Sequence, residues 1–475
     1  MKEVAMRATR GIVLRLCLVF SLAAVMPASA VTHSVAACNG TADHTKVQTA
    51  VDAAGDGDTV VIPAGTCTFT NSVTWNNKNI VVKGAGEGVT TITSNNQEAF
   101  SISPTTKAGF RITGMTINSN NSGIFLLDGF GACSAVPGRF RIDHITTHIT
   151  GGSSPRTVMV QGIVYGLIDH VSFNHTLGAS IPVVVEAAMQ STCDNYPANP
   201  AGHVSFNLPL DLGGDTAVYV EDSTFTLPFG GYGAINDSTL GGRMVFRHNT
   251  FTGPFHLQTH ATRGNGGGGE RGGMKSEYYN NVHDGLDDPT YPGAANMRSG
   301  TGVSFNNTIK NNSGGGNFAG VALLIDSQRI PSASCSLNDT PLGLCSGSSI
   351  YDGAIEGNGW PCLDQVGRGG GPYKSQPSVP IYVWNNGPET GCSTGGTCSA
   401  SMGIVLNCSE QSDFIKTTAH SNGDKDYCVG GTTMPASCGN HVNTYTPYTY
   451  PHLLQQAGGV DVTAPSPPKN LLVAP

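Results

Sequence analysis

The chain repeats itself. The segments RITGMTI, RIDHITT, LIDHVSF, YVEDSTF, VFRHNTF, EYYNNVH and VSFNNTI share one outline, in which an apolar or aromatic residue, a polar pair and a second β-prone stretch follow in order. Their fourth positions are Gly114, His144, His170, Asp222, His248, Asn280 and Asn306, separated by 30, 26, 52, 26, 32 and 26 residues. A unit this short, built of strand-sized pieces and polar turns, cannot bury an apolar face by itself and must stack on its neighbours as a solenoid. Parallel stacking places equivalent residues about 4.8 Å apart. It therefore predicts an interior ladder of Ile142, Ile168, Val220 and Phe246, and a single column for the seven fourth positions. The doubled gap predicts one further coil around an insertion at 193–209. Only 12% of residues are charged and 63 are glycine, which suits many short strands joined by tight turns.

Solenoid ends expose sheet edges that need cover. Val47, Ala50, Val51 and Ala54 follow helical spacing with Asp43 as the expected N-cap, which predicts a short amphipathic helix over the N-terminal end. A cysteine-rich stretch, 392–438, breaks the repeat at the other end, and the Pro-rich tail 461–475 reads as a linker. Residues 1–30 read as a secretory signal, with Lys2, Arg7, Arg10 and Arg15 before an apolar run and the small-residue site Ala28-Ser29-Ala30. The expected division is thus a signal at 1–30, a solenoid at 31–460 and a tail at 461–475, in a secreted chain without a membrane span. Removing the signal takes Cys17 with it and leaves twelve of the thirteen cysteines. An even number without paired CxxC knuckles favours disulfides over zinc. Cys38 with Cys67 and Cys428 with Cys438 are the expected pairs, each closing a short segment at one end.

The formal net charge is −8, and it becomes more negative without the four basic residues and one acidic residue of the signal. That balance argues against nucleic acid and against anionic membrane as partner. No Lys or Arg occurs from Thr157 to Gly242, after which Arg243, Arg247, Arg263, Arg271, Lys275 and Arg298 fall close together. The same window holds His248, His256, His260 and His283 and the glycine-rich loop GNGGGGERGG. A loop projecting from a rigid scaffold is where function concentrates.

The opening VQTAVDAAGDGDTVVIPAGTCTF, followed by NIVVKGAG and the coils above, resembles exported right-handed parallel β-helix proteins of the pectin lyase-like superfamily, over roughly residues 38–390. The resemblance implies an acidic, uronic-acid polysaccharide as substrate and β-elimination as reaction, carried out by a monomer. In that chemistry a base removes the proton at C5, the C6 carboxylate takes up the developing charge and the 4-linked sugar leaves. A bidentate Arg or a bound Ca²⁺ must neutralise the carboxylate, and a His, Lys, Arg or Tyr must take the proton. The stretch MVFRHNTF…HATRGNGGGGERGGMKSEYYNN is similar to the arginine segment of pectate lyases, which makes Arg271 and Arg263 the base or clamp. A glycine run replaces the family's proline, and Arg271 lies one residue too far from Asn280, so His260 stays open as a rival base. Arg271 is the expected principal partner of the carboxylate. Lys275, Arg298, Arg247 and His248 are the expected substrate-binding residues.

Two IDH triplets, at Ile142-Asp143-His144 and Ile168-Asp169-His170, also resemble a pectate-lyase motif. Asp143, Asp169 and Glu221 should stack in one column, and because carboxylates so stacked repel unless a cation or Arg lies between, the column is either a Ca²⁺ site or, as we favour, a hydrogen-bonded turn ladder. No other cofactor is implied. Asn280, Asn281, Asn306 and Asn307 read as turn ladders capping coil carbonyls, and Trp360 and Trp384 as sugar platforms or packing anchors. Hydrolases of this fold carry NTD, DD, GHG and RIK signatures, of which only Asp287-Asp288 is present, and the DPHE signature of C5-epimerases is absent. Both rank below a lyase. The alternative from another class is a non-catalytic surface or carbohydrate-binding protein.

Overall fold

The computed structural model describes residues 30–456 apart from 96, 105, 107–108, 121–122, 130–138, 152–154, 177–180, 187–203, 229–233, 261–270, 286–292, 311–318, 327–362, 372–375, 389–400, 407, 410–411 and 415–426. The proposed signal and the tail 461–475 lie outside the described residues. The chain winds as a right-handed parallel β-helix. A 19-stranded sheet and a 12-stranded sheet run along it, and the strands of successive coils pair in parallel.

The large sheet folds over on itself along the column of fourth positions. Gly114, His144, His170, Asp222, His248, Asn280 and Asn306, joined by Asn385 of a later coil, all have φ between 47° and 72°. Residues on either side of them pair in register from coil to coil, as Asp143 with Asp169 and Ile145 with Val171 show. A left-handed residue turns the strand in one step, and His, Asp and Asn tolerate that conformation better than other non-glycine residues. The repeat seen in the sequence is therefore the corner of the solenoid, which divides its section into three faces.

Inside, Ile142, Ile168, Val220 and Phe246 are fully buried and in register. On the second face Phe173, Phe225 and Phe251 stack at 4.5 and 4.6 Å between ring centroids. Each such side chain contributes about 1.5–3 kcal/mol by leaving water. Next to the corner a second ladder runs through Asn249, Asn281, Asn307 and Asn386, all buried. Each amide donates to the next asparagine's oxygen or to a coil carbonyl, for instance Asn281 Nδ2 to Asn307 Oδ1 at 3.0 Å and to Phe246 O at 3.0 Å. The turn-ladder reading thus holds for Asn281 and Asn307. The expected extra coil does not exist in the large sheet: Gly166–His175 pairs directly with Val218–Glu221 and Thr224–Thr226. The additional residues leave the third face after Ile181–Glu186 and return, through a short 3-10 turn at Val204–Phe206, within the same coil.

At the N-terminal end the helix His44–Ala53 packs Val47 and Val51 into the core. Asp43 does not cap it. Its carboxylate instead accepts from the backbone N–H of Gly40 and Thr68 and from Lys46 Nζ, tying the helix to the first coils. Cys38–Cys67 and Cys428–Cys438 are both joined. Tyr427–Val429 adds the last described strand to the large sheet. From there residues 438–456 run back along the outer side of the first face as a strap. This strap buries a second apolar cluster that includes Tyr219, Val245, Tyr279, Phe305, Trp384, Tyr445 and Leu454. Trp384 stacks on Phe305 at 4.2 Å, so it is a packing anchor. Trp360 lies outside the described residues.

Candidate active site

The basic cluster of the sequence separates into three places. On the outer side of the first face, Asp143, Asp169, Glu221 and Arg247 form one column in register. Arginines interleave it. Arg111 makes a bidentate pair with Asp143 at 2.7 Å, Arg141 does the same with Asp169 at 2.8 Å, and Arg247 Nε reaches Glu221 at 2.5 Å. Burial pushes the Asp143 carboxyl up, but Arg111, Arg141 and His144 outweigh it and hold the group below its ordinary value. With those partners and the Thr113 hydroxyl on Asp143, the three carboxylates form an ion-pair ladder. Among the described residues no group of three or more His, Cys, Asp or Glu could hold a metal.

The strap closes over this ladder. Arg247 donates to the carbonyls of Tyr448 and Thr449, Arg141 to that of Leu454, and Glu221 accepts from His452 N and Gln455 Nε2. Lys275 is fully buried, with Nζ 3.2 Å from Glu277 and bonded to the carbonyls of Asp211 and Gly214. Glu277 in turn accepts from Tyr445 OH. Arg247 and Lys275 are both fully buried, with four acceptors around the guanidinium and three around the ammonium, so neither presents a face to a polymer.

Arg271 is also fully buried. It forms a bidentate pair with Asp364, donates to Gly371 O and lies over the Phe206 ring at 3.6 Å. The expected clamp is instead the anchor for the segment 363–371. The glycine after it is required: a Cβ on Gly272 would stand 2.6 Å from Ser299 Cβ. Arg263 lies outside the described residues.

His248 stands at the corner, in an open cleft of ≈ 440 Å³ lined also by His170, Asp222, Thr224, Thr250, Tyr450 and Gln455. Its ring stacks on Tyr450 at 3.7 Å. Burial holds its imidazole below the ordinary value. Along the same edge His144 and His170 stack at 4.9 Å, each with Nδ1 on the preceding aspartate. The hydrogen bond to Asp169 raises the His170 imidazole.

The third place is the outer side of the 12-stranded sheet. Its inner rows are apolar over the first coils, with Phe125, Val158, Val183, Leu257 and Ala295 in the core. By strand alternation Gln161, Glu186, Asp237, Gln258, His260, Asn296 and Arg298 face outward. His260 and Arg298 each stand one residue beyond the paired Thr259 and Met297, so they are neighbours across adjacent coils. Three backbone contacts fix His260: its N–H donates to Ser238 O at 2.8 Å, and its carbonyl accepts from Gly273 N and Ser299 Oγ. The ring contacts Asp237 through Nδ1 at 2.8 Å and Gln258 through Nε2 at 3.2 Å. Asp237 and Gln258 carried no motif in the sequence. Only the coil register, which sets them side by side, reveals them.

No protein-family model matches the chain, and no curated protein does. Among solved structures it is similar to the A-module of the mannuronan C-5 epimerase AlgE6 of Azotobacter vinelandii, at 14% identity and a TM-score of 0.34, over 61% of this chain and 70% of that one. It is also similar to the PL6 family alginate lyase AlyGC, at 12% identity and a TM-score of 0.37, over 88% of this chain and 57% of that one. The chain thus spans little more than half of the lyase, and the pairing of its own coils is what defines its fold.

Proposed function

We propose that the protein is an exported polysaccharide lyase that cleaves a uronic-acid polymer of the pectin, alginate or glucuronan type by β-elimination on the outer side of the 12-stranded sheet. The observation that carries this reading is the adjacency of His260 and Arg298. In a uronate the C5 proton and the C6 carboxylate sit on neighbouring carbons, so base and carboxylate partner must stand within a few ångströms of each other. Neighbouring coils are about 4.8 Å apart, which meets that demand.

His260 then takes the C5 proton, since a neutral imidazole accepts one far more readily than a guanidinium. Arg298 holds the carboxylate as it gains charge. The clamp role moves here from Arg271, Arg247 and Lys275, all of which are enclosed by internal acceptors.

The test is incubation of the secreted protein with a panel of uronic-acid polymers, read by the ultraviolet absorbance of the unsaturated product end. A cleaved polymer with that absorbance supports the lyase. Reducing ends without it indicate a hydrolase, and binding without cleavage indicates a carbohydrate-binding protein. On the cleaved polymer, His260→Ala should lower kcat by about 10²–10⁴ and Arg298→Ala by a comparable factor.

A further inference from the structure

Next to His260 stands an aspartate to which nothing in the sequence assigns a role. Asp237, on the neighbouring strand Ala234–Thr239, is buried and places both carboxylate oxygens 2.8 Å from His260 Nδ1. We infer that Asp237 is the positioning residue of the site, fixing His260 in the tautomer whose Nε2 lone pair faces the substrate. This rests on the reading of His260 as the base.

For a neutral imidazole the geometry selects one proton arrangement. An ionised carboxylate has only acceptors to offer, so Nδ1 carries the hydrogen and Nε2 the lone pair. The remaining contact agrees. Gln258 Nε2, an amide donor 3.2 Å from His260 Nε2, is compatible with a lone pair there. Because 3.2 Å is long for a hydrogen bond, the substrate's C–H can replace the amide at Nε2 at little cost. The partners come from three directions: Asp237 from the preceding coil, Gln258 from the same strand, and Ser299 with Gly273 on the backbone carbonyl. Ring position and tautomer are thereby set independently of the substrate.

In the reaction the C5–H bond breaks and the proton passes to Nε2. The electron pair becomes the C4=C5 double bond, the C4–O4 bond breaks, and the departing O4 takes a proton from water. The imidazolium formed has Nδ1–H against a carboxylate, which stabilises the charge as it appears. An amide in place of Asp237 can donate to Nδ1 and so favours the opposite tautomer, with hydrogen on Nε2 and no lone pair for C5–H. The loss of a buried aspartate behind a catalytic histidine in this way costs about 10⁴ in turnover in the serine protease triad.

Three variants of the full chain decide the matter. Asp237→Asn should lower kcat by about 10³-fold or more, with KM within a few-fold and the melting temperature close to wild type. Nitrogen NMR of the ring should report hydrogen on Nδ1 in the wild type and on Nε2 in Asp237→Asn. Asp237→Glu should recover part of the activity, which a merely structural role does not require. If His260→Ala is inactive while Asp237→Asn keeps kcat within three-fold, or keeps hydrogen on Nδ1, the positioning role is overturned and the base survives. If His260→Ala stays active, the base reading and this inference fall together.

Discussion

The outer sides of the first and third faces use the same residue types to different ends. On the first face, arginine, lysine and carboxylate alternate from coil to coil and are covered by the strap 438–456, so that each charge meets an internal partner. On the third face, among the described residues, the His260 ring meets Asp237 at Nδ1 and a long amide contact at Nε2. Charge density along a chain thus says little about a site. Where acids and bases alternate at the coil period they form a ladder that stabilises the stack, whereas on the third face a base stands beside unlike neighbours.

The widest gap between the two faces should appear when a buried cation is removed. Arg247→Met and Arg271→Ala each leave a buried carboxylate without its cation, with uncharged donors remaining on Glu221 and Asp364, and each should destabilise the protein by about 3–5 kcal/mol, measured by denaturant unfolding. Turnover per folded molecule should stay near wild type. A large loss of kcat at unchanged stability for Arg271→Ala would return the carboxylate clamp to that residue and break the contrast.

A smaller effect is expected at the corner. Asn281→Ala removes the acceptor of Asn249 and the donor to Phe246 O, and should cost about 2–3 kcal/mol. Unchanged unfolding midpoints would show that the ladder follows the stack instead of holding it.

Acid should loosen the strap. Burial, aided by Arg247, Arg139 and Arg141, holds the His452 imidazole down to about 3, against an ordinary 6.5. Between those values the released strap binds a proton and the docked one does not, so docking is complete above pH 6.5 and weakens as pH falls. Glu221, pushed up by burial, offsets part of this as pH approaches 4.5. Hydrogen exchange at 441–456 should therefore rise several-fold from pH 7 to pH 5 relative to 255–259. Parallel behaviour of the two segments would remove the distinction between them. The smallest effect belongs to the third face, where Gln161→Ala removes the donor to Glu186 Oε2 and should cost about 1 kcal/mol.

Much of the fold was legible in the sequence. The 26-residue spacing marks the corner because left-handed backbone selects Gly, His, Asp and Asn there, whatever packs around them. The same spacing placed Ile142, Ile168, Val220 and Phe246 in one inner ladder, since a solenoid converts sequence offset directly into neighbourhood. The N-terminal helix and two disulfides followed from local pattern and short loops. The doubled gap was not legible, because an excursion of 26 residues and a whole coil have the same length.

For the proposed site, sequence offered His260 and Arg298 but could not separate them from Arg247, Arg271 and Lys275. Those five differ in what covers them, and the covering groups come from far along the chain. Asp364 lies 93 residues from Arg271, and Tyr448 lies 201 from Arg247. Repeat period is a local property that the sequence determines by itself. Burial of a charge depends on which distant segment folds over it, and that only the tertiary structure decides.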